Sequence, residues 1–266
     1  MMDNTVSYRL TCSLVTLNNG VSESNVYEHI IRIRFLKKTG EKATVYNREL
    51  DMYFSDKSAL SIVFELEISK VRLFLSPRLG RASEFLRATY HRYDWMQLLV
   101  RLTGKPVSIN NKEELKQRWV KMKQKLKENY IGGVVDNYFD KLDKQFITDG
   151  AVLGAASQYF YFGLVFPQIP MNHLSGWSQK RMIELSEYEE EFFEEQITHS
   201  ETEGNIENYL ITGNVLPDSR TILLKYQGYI SKKKIEILPE TASIDISFQR
   251  SNIITHWNFK LQRVQL

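Results

Sequence analysis

Four arginines, Arg78, Arg81, Arg87 and Arg92, are interleaved with Phe85, Tyr90, Tyr93 and Trp95. Guanidinium groups meet phosphates and exposed rings stack on bases, so this is the chemistry of single-stranded nucleic-acid recognition. Half-buried strand or loop packing produces the same pattern. The run belongs to a basic block, Lys70 to Lys127, with fifteen Lys/Arg against four acids. An acidic block opposes it: Glu184 to Glu207 holds ten Glu and no Lys or Arg. Segregated charge of this kind raises surface potentials to several kT whatever the fold. The candidate contact residues are therefore Arg78, Arg81, Arg87, Arg92 and Trp95 on one side, and Glu189, Glu190, Glu194 and Glu195 on the other.

Reacting groups are harder to find. Glu65 and Glu67 share one face of a strand, as paired carboxylates must in acid–base hydrolysis. Their alternation with Phe64, Leu66 and Ile68 reads more simply as the wet side of a half-buried strand. His29, His91, His173, His199 and His256 are scattered, with no His-Glu-x-x-His or His-x-His pair. No phosphate-cradling glycine loop and no Gly-x-Ser-x-Gly elbow occurs. Cys12, the single cysteine, excludes an internal disulfide and any multi-cysteine metal site. No catalytic residue, metal ligand or cofactor site is expected, and enzymatic activity has no support in the residues.

The elements that position these groups follow from periodicity. Alternating apolar residues run from Tyr8 to Leu17, through Ile31, Ile33 and Phe35, and then over Val45–Phe54 and Leu60–Leu75, with a bend near Ser69-Lys70. Asn18-Asn19-Gly20 supplies the positive-φ residues of a tight hairpin. Trp95–Leu102 reads as a strand returning through Val107 and Ile109, with a helix as the alternative. From Asn111 the period becomes helical. Asn111 and Glu114 resemble a capping box, and Leu115, Trp119, Met122 and Leu126 form an apolar stripe. A second helix carries Val135, Phe139, Leu142 and Phe146. A third, capped by Asp149, runs through the apolar segment 151–166, which is too short for a bilayer span of about 20 residues. Strands return at Tyr209–Val215, Thr221–Ile230, Ile235–Leu238, Ile244–Phe248 and Thr255–Val264, with Ser231-Lys232-Lys233-Lys234 as a polar turn.

This order predicts an α+β fold: a largely antiparallel sheet, a half-barrel in one arrangement, built from N- and C-terminal strands with a central helical insert. The regions are 1–110, 111–203 (ending in the acidic segment) and 204–266, forming one composite domain or two β domains around a helical one. The 266 residues are 42% hydrophobic, 25% charged and 12% aromatic, with only 13 Gly and 6 Pro, which excludes collagen-like and mostly disordered chains. No signal-peptide pattern opens the chain, so cytoplasmic residence is expected. The leading expectation is a non-enzymatic structural or interaction protein that docks, or self-associates, through its basic and acidic surfaces. A nucleic-acid-binding protein using residues 78–95 is the alternative. A carrier of an apolar ligand, with the sheet as a cupped wall lined or plugged by the apolar helix Ala151–Phe166, is the third, against which Tyr159–Phe162 read as ordinary core.

Overall fold

The computed structural model describes residues 5–36, 61–77, 80–171, 173–185 and 191–265. The expected strand at Val45–Phe54 lies outside them, as do Arg78, Glu189 and Glu190. The alternation in the first strand becomes a two-faced ribbon: Tyr8, Leu10 and Cys12 are fully buried while Arg9 between them is exposed. The same phase persists across β1 (Thr5–Asn18), β2 (Val21–Leu36), β3 (Ser61–Phe74), β4 (Trp95–Arg101) and β5 (Pro106–Ile109). It resumes in β6 (Ser178–Glu184), β7 (Phe192–Glu203), β8 (Ile206–Val215), β9 (Ile222–Lys233), β10 (Thr241–Arg250) and β11 (Ile253–Val264).

These strands form one open antiparallel sheet of eleven, ordered β5-β4-β3-β2-β1-β11-β10-β9-β8-β7-β6. Its centre is the pairing of the first and last strands, in register from Ser7 opposite Val264 to Asn18 opposite Ile253. Tight loops set the local registers. Asn19 and Gly20, both at positive φ, connect β1 to β2. Ser251, at φ 54°, opens the two-residue loop from β10 to β11. The bend expected near Ser69-Lys70 is a bulge: Lys70 has φ 51° and the β2–β3 register slips between Glu28 and Ile30. Glu65 and Glu67 lie on the wet face, with Glu65 paired to Arg34.

The insert covers the other face. It comprises α2 (Lys112–Lys127), α3 (Gly133–Lys144) and α4 (Asp149–Ala156), while a shorter helix, α1 (Arg81–Tyr90), precedes β4. Leu115, Trp119 and Leu126 of α2 and Phe139 and Leu142 of α3 are buried in one continuous core with residues of both strand regions. No helix among the described residues is long and apolar enough to cross a membrane.

Four local expectations are corrected. The apolar segment 151–166 is not one helix. It leaves the helix at Ala156 and folds back, with Phe162 N–H donating to Ala156 O and Gly163 N–H to Gln158 O, both at 3.0 Å. Gly163 allows this, since any Cβ there would strike the Ser157 and Gln158 backbone. The cap of α4 is Thr148, whose side chain accepts from Ala151 N–H, and not Asp149. Asn111 stands at the α2 N-terminus but makes no capping bond. Its Oδ1 accepts from Gln97 N–H at 2.8 Å and its Nδ2 donates to Trp95 O at 3.4 Å, tying α2 to β4. Finally, Ser231–Lys233 continues β9, while Ile235–Leu238 is a turn that buries Ile237 and Leu238.

Asn111→Ala should therefore cost about 1–2 kcal/mol in urea unfolding by leaving the Gln97 N–H without its acceptor. Asn110→Ala, at an exposed neighbour, should stay within about 0.5 kcal/mol of wild type.

Candidate functional site

The strand order decides where the charge blocks lie. The basic block occupies the end of β3, α1, β4, β5 and α2, at one edge of the sheet. The acidic block occupies the end of β6, β7 and the start of β8, at the opposite edge. Counted along the sheet, eight strand spacings separate β4 from β7, while the segment after α4 links the two sides across the buried face: Phe160 O accepts from Tyr90 Oη and Phe160 N–H donates to Leu185 O, and Met171 N–H donates to Leu102 O. No ion pair among the described residues joins the two blocks.

Each block is answered partly from its own surroundings. Along one flank of α2, Lys112 pairs with Asp149, Lys123 with Asp143 at 2.5 Å and Lys127 with Asp136 at 3.4 Å. The other flank presents Lys121 and Lys125, both exposed. Arg81 opens α1 exposed, and exposed Arg87 donates to Leu73 O at 2.8 Å. On the acidic edge Glu194 pairs with Lys180 at 2.7 Å and Glu191 with Arg250 at 2.8 Å, while Glu201 and Glu203 are exposed.

Two of the candidate contact residues are in the interior instead. Arg92 is fully buried. Its Nε donates to Gln145 Oε1 at 3.2 Å, its other end to Thr89 O at 2.9 Å, and its plane lies 4.8 Å from the Tyr93 ring and 5.2 Å from Tyr161. Phe85, Tyr90 and Tyr93 are buried as well, so of the run's rings only Trp95 reaches solvent, and that partly. Glu195 is likewise fully buried, bonded to Arg181 Nε at 2.7 Å, to Tyr226 Oη at 2.9 Å and to the Tyr159 hydroxyl. Burial lifts the Tyr159 and Tyr226 phenols well above their ordinary range, reinforced by the Glu195 charge.

A second buried network went unread in the sequence. Lys232 Nζ, without solvent exposure, donates to Glu207 Oε2 at 2.8 Å, and Tyr209 donates to the same oxygen at 2.8 Å. His173 closes over it, bonded to the Tyr209 hydroxyl, with His199 ring-to-ring at 5.3 Å. Burial would raise the Glu207 carboxyl, but the hydrogen bonds from Lys232 and Tyr209 and the charges of Lys232 and His173 hold it below the usual range. Burial lowers the Lys232 ammonium, opposed by Glu207. The signal for both networks was present in the phase of alternation: Glu195 shares parity with Phe193 and Ile197, and Lys232 with Ile230 and Tyr226.

A cavity of about 1010 Å³ lies at the sheet end lined by Arg32, Arg34, Glu65, Glu67, Lys233 and Arg263 among others, and its lining includes neither Glu195 nor Glu207. Most of its charges are already paired, Arg34 with Glu65, and Arg263 and Lys233 with Glu240. No group of three or more His, Cys, Asp or Glu among the described residues is arranged to hold a metal ion. Tyr159, Phe160, Tyr161 and Phe162 are all core, with Phe160 edge-on to Tyr27 at 4.6 Å and to Tyr90 at 5.1 Å.

No protein-family model matches this chain, and no curated protein matches it. Among solved structures it is similar to a lipovitellin chain, from work on lipid–protein interactions in lipovitellin, with 10% identity and a TM-score of 0.48. The likeness covers 98% of this chain and 25% of the lipovitellin chain, so the protein spans a quarter of that length.

Two outcomes follow from the buried groups. Burial lowers the His29 imidazole from its ordinary value to about 3, with Tyr90 Oη 2.9 Å from Nδ1. Between that value and about 6.5 the unfolded chain binds a proton that the native state refuses, so stability falls as pH drops. Urea unfolding at pH 7 and pH 5 should show this loss, at up to about 1.4 kcal/mol per pH unit. His29→Phe, which leaves Tyr90 its bond to Phe160 O, should flatten the slope. Separately, Glu195→Ala strands the Arg181 guanidinium and should cost about 3–5 kcal/mol, most of it recovered in the Arg181→Met/Glu195→Leu double variant.

Proposed function

We propose that this chain is a non-enzymatic interaction protein that docks electrostatically into an oligomer or larger assembly. Its basic end, built on α1, the β4–β5 hairpin and α2, meets acidic surfaces. The observation that carries this reading is the separation of the two charge blocks to opposite edges of the sheet. No ion pair among the described residues joins the two blocks, and exposed charge not held in a close pair is weakened by salt over a Debye length of about 8 Å. Lys121, Lys125 and Arg81 on one edge and Glu201 and Glu203 on the other are thus left to outside partners. In the pure protein the acidic partner at hand is the far edge of a second copy. Such a head-to-tail contact is heterologous, and builds a ring or a filament.

The nucleic-acid reading loses its stacking platform, because Phe85, Tyr90 and Tyr93 are interior. The carrier reading loses its lining, because residues 159–162 are spent on packing against one another and the sheet.

Light scattering in low salt should show species larger than the monomer that dissociate as salt is raised to several hundred millimolar. Lys121→Glu/Lys125→Glu should abolish them without changing the unfolding temperature. A salt-insensitive monomer at all concentrations contradicts the proposal.

A further inference from the structure

The hairpin between α2 and α3 carries two aliphatic side chains in open solvent. Ile131 is 86% exposed and Val134 85%, on either side of Gly132-Gly133. Their neighbours face inward. Tyr130 packs on Phe85 of α1 with ring centroids 5.1 Å apart, and Val135 packs against the core. The hairpin is thus anchored from both sides, and Ile131 and Val134 are held away from the molecule by a fixed backbone.

Cations rim this tip. Lys125 and Lys121 are exposed within the last two turns of α2, on the flank opposite its ion pairs, so Lys125 lies within about 10 Å of rise from the hairpin. Arg81 is exposed on α1, the helix that Tyr130 packs against. Glu128 is exposed beside the tip, and Asp136 is already answered by Lys127.

Scattered single aliphatics on a surface are ordinary. A pair at the end of a braced hairpin, with ammonium groups set back from it, matches a layered environment: apolar at depth, anionic above. A bilayer containing anionic phospholipid has that order, and long basic side chains stay at its headgroups while aliphatic ones enter. An acidic protein surface or a nucleic acid would answer the lysines but leave Ile131 and Val134 in water. We propose that the α2–α3 hairpin docks onto an anionic membrane surface, inserting Ile131 and Val134 with Lys121 and Lys125 at headgroup level. This rests on the reading of the basic end as a docking surface, and names its partner.

The test is flotation of the full chain with phosphatidylcholine vesicles, with and without phosphatidylserine, at low and raised salt, alongside light scattering of the lipid-free protein. Wild type should float only with the phosphatidylserine vesicles, and less at raised salt. Ile131→Asp/Val134→Asp changes only exposed positions, so its unfolding temperature should match wild type while vesicle affinity falls about tenfold or more. Lys121→Glu/Lys125→Glu should lose both flotation and salt-sensitive association. Wild type that stays in the soluble fraction, or an aspartate variant that floats like wild type, overturns the membrane proposal. If salt-sensitive association persists in that case, the broader docking reading stands; if it is also absent, both fall.

Discussion

The pairing of β1 with β11 is the constraint from which the rest follows. Because the first and last strands sit side by side at the centre, each half of the chain can only add strands outward. The N-terminal half reaches one edge at β5, and the C-terminal half, traced back from β11, reaches the other at β6. The middle of the sequence must then cross the whole buried face. The aromatic segment after α4 makes that crossing, with Phe160 touching Tyr27 of β2 and Trp257 of β11, and Tyr159 touching Phe259. The seam therefore dictates both the filled interior and the placement of oppositely charged stretches at opposite edges.

An open sheet leaves two edges to be protected from uncontrolled pairing. β5 is four residues long and begins with Pro106, which lacks a donor. β6 is longer, and it carries inward-facing Arg181, whose charge is satisfied only in the native register by Glu195 and Tyr159. A slip of one residue would turn that guanidinium outward and bring Lys180 into the core. The buried ion pair thus gives specificity at the edge more than stability, in keeping with the modest net worth of such pairs. Docking at these edges is left to side-chain charge, which salt can weaken.

Much of the sheet was legible because alternation is local: the phase that buries Tyr8, Leu10 and Cys12 is visible in ten residues. The narrow stripes of α2 and α3 were legible for the same reason. What was not legible is the fate of charged residues at inward phase. Glu195 and Lys232 sit where parity places an apolar side chain, yet charge is ordinarily a mark of the surface, and only a partner supplied by a distant strand or loop reverses that. Arg92 was misplaced because it sits in a single 3-10 turn, His91–Tyr93, directly after α1, whose own stripe of Phe85, Thr89 and Tyr90 is too brief to stand out. Strand order, which decides whether the charge blocks meet, rests on pairings between residues more than two hundred positions apart, and no local pattern encodes it.

Zero-length carbodiimide cross-linking at low salt, read by mass spectrometry, interrogates the charge separation directly. Bonds joining Lys121 or Lys125 to Glu201 or Glu203 should appear only in covalent dimers and higher species, because no ion pair among the described residues joins the two blocks within one chain. Bonds within the monomer should be confined to local pairs such as Lys123–Asp143. Finding the Lys121 or Lys125 to Glu201 or Glu203 bonds inside the monomer would show that the two blocks meet within one molecule, and the account would fail.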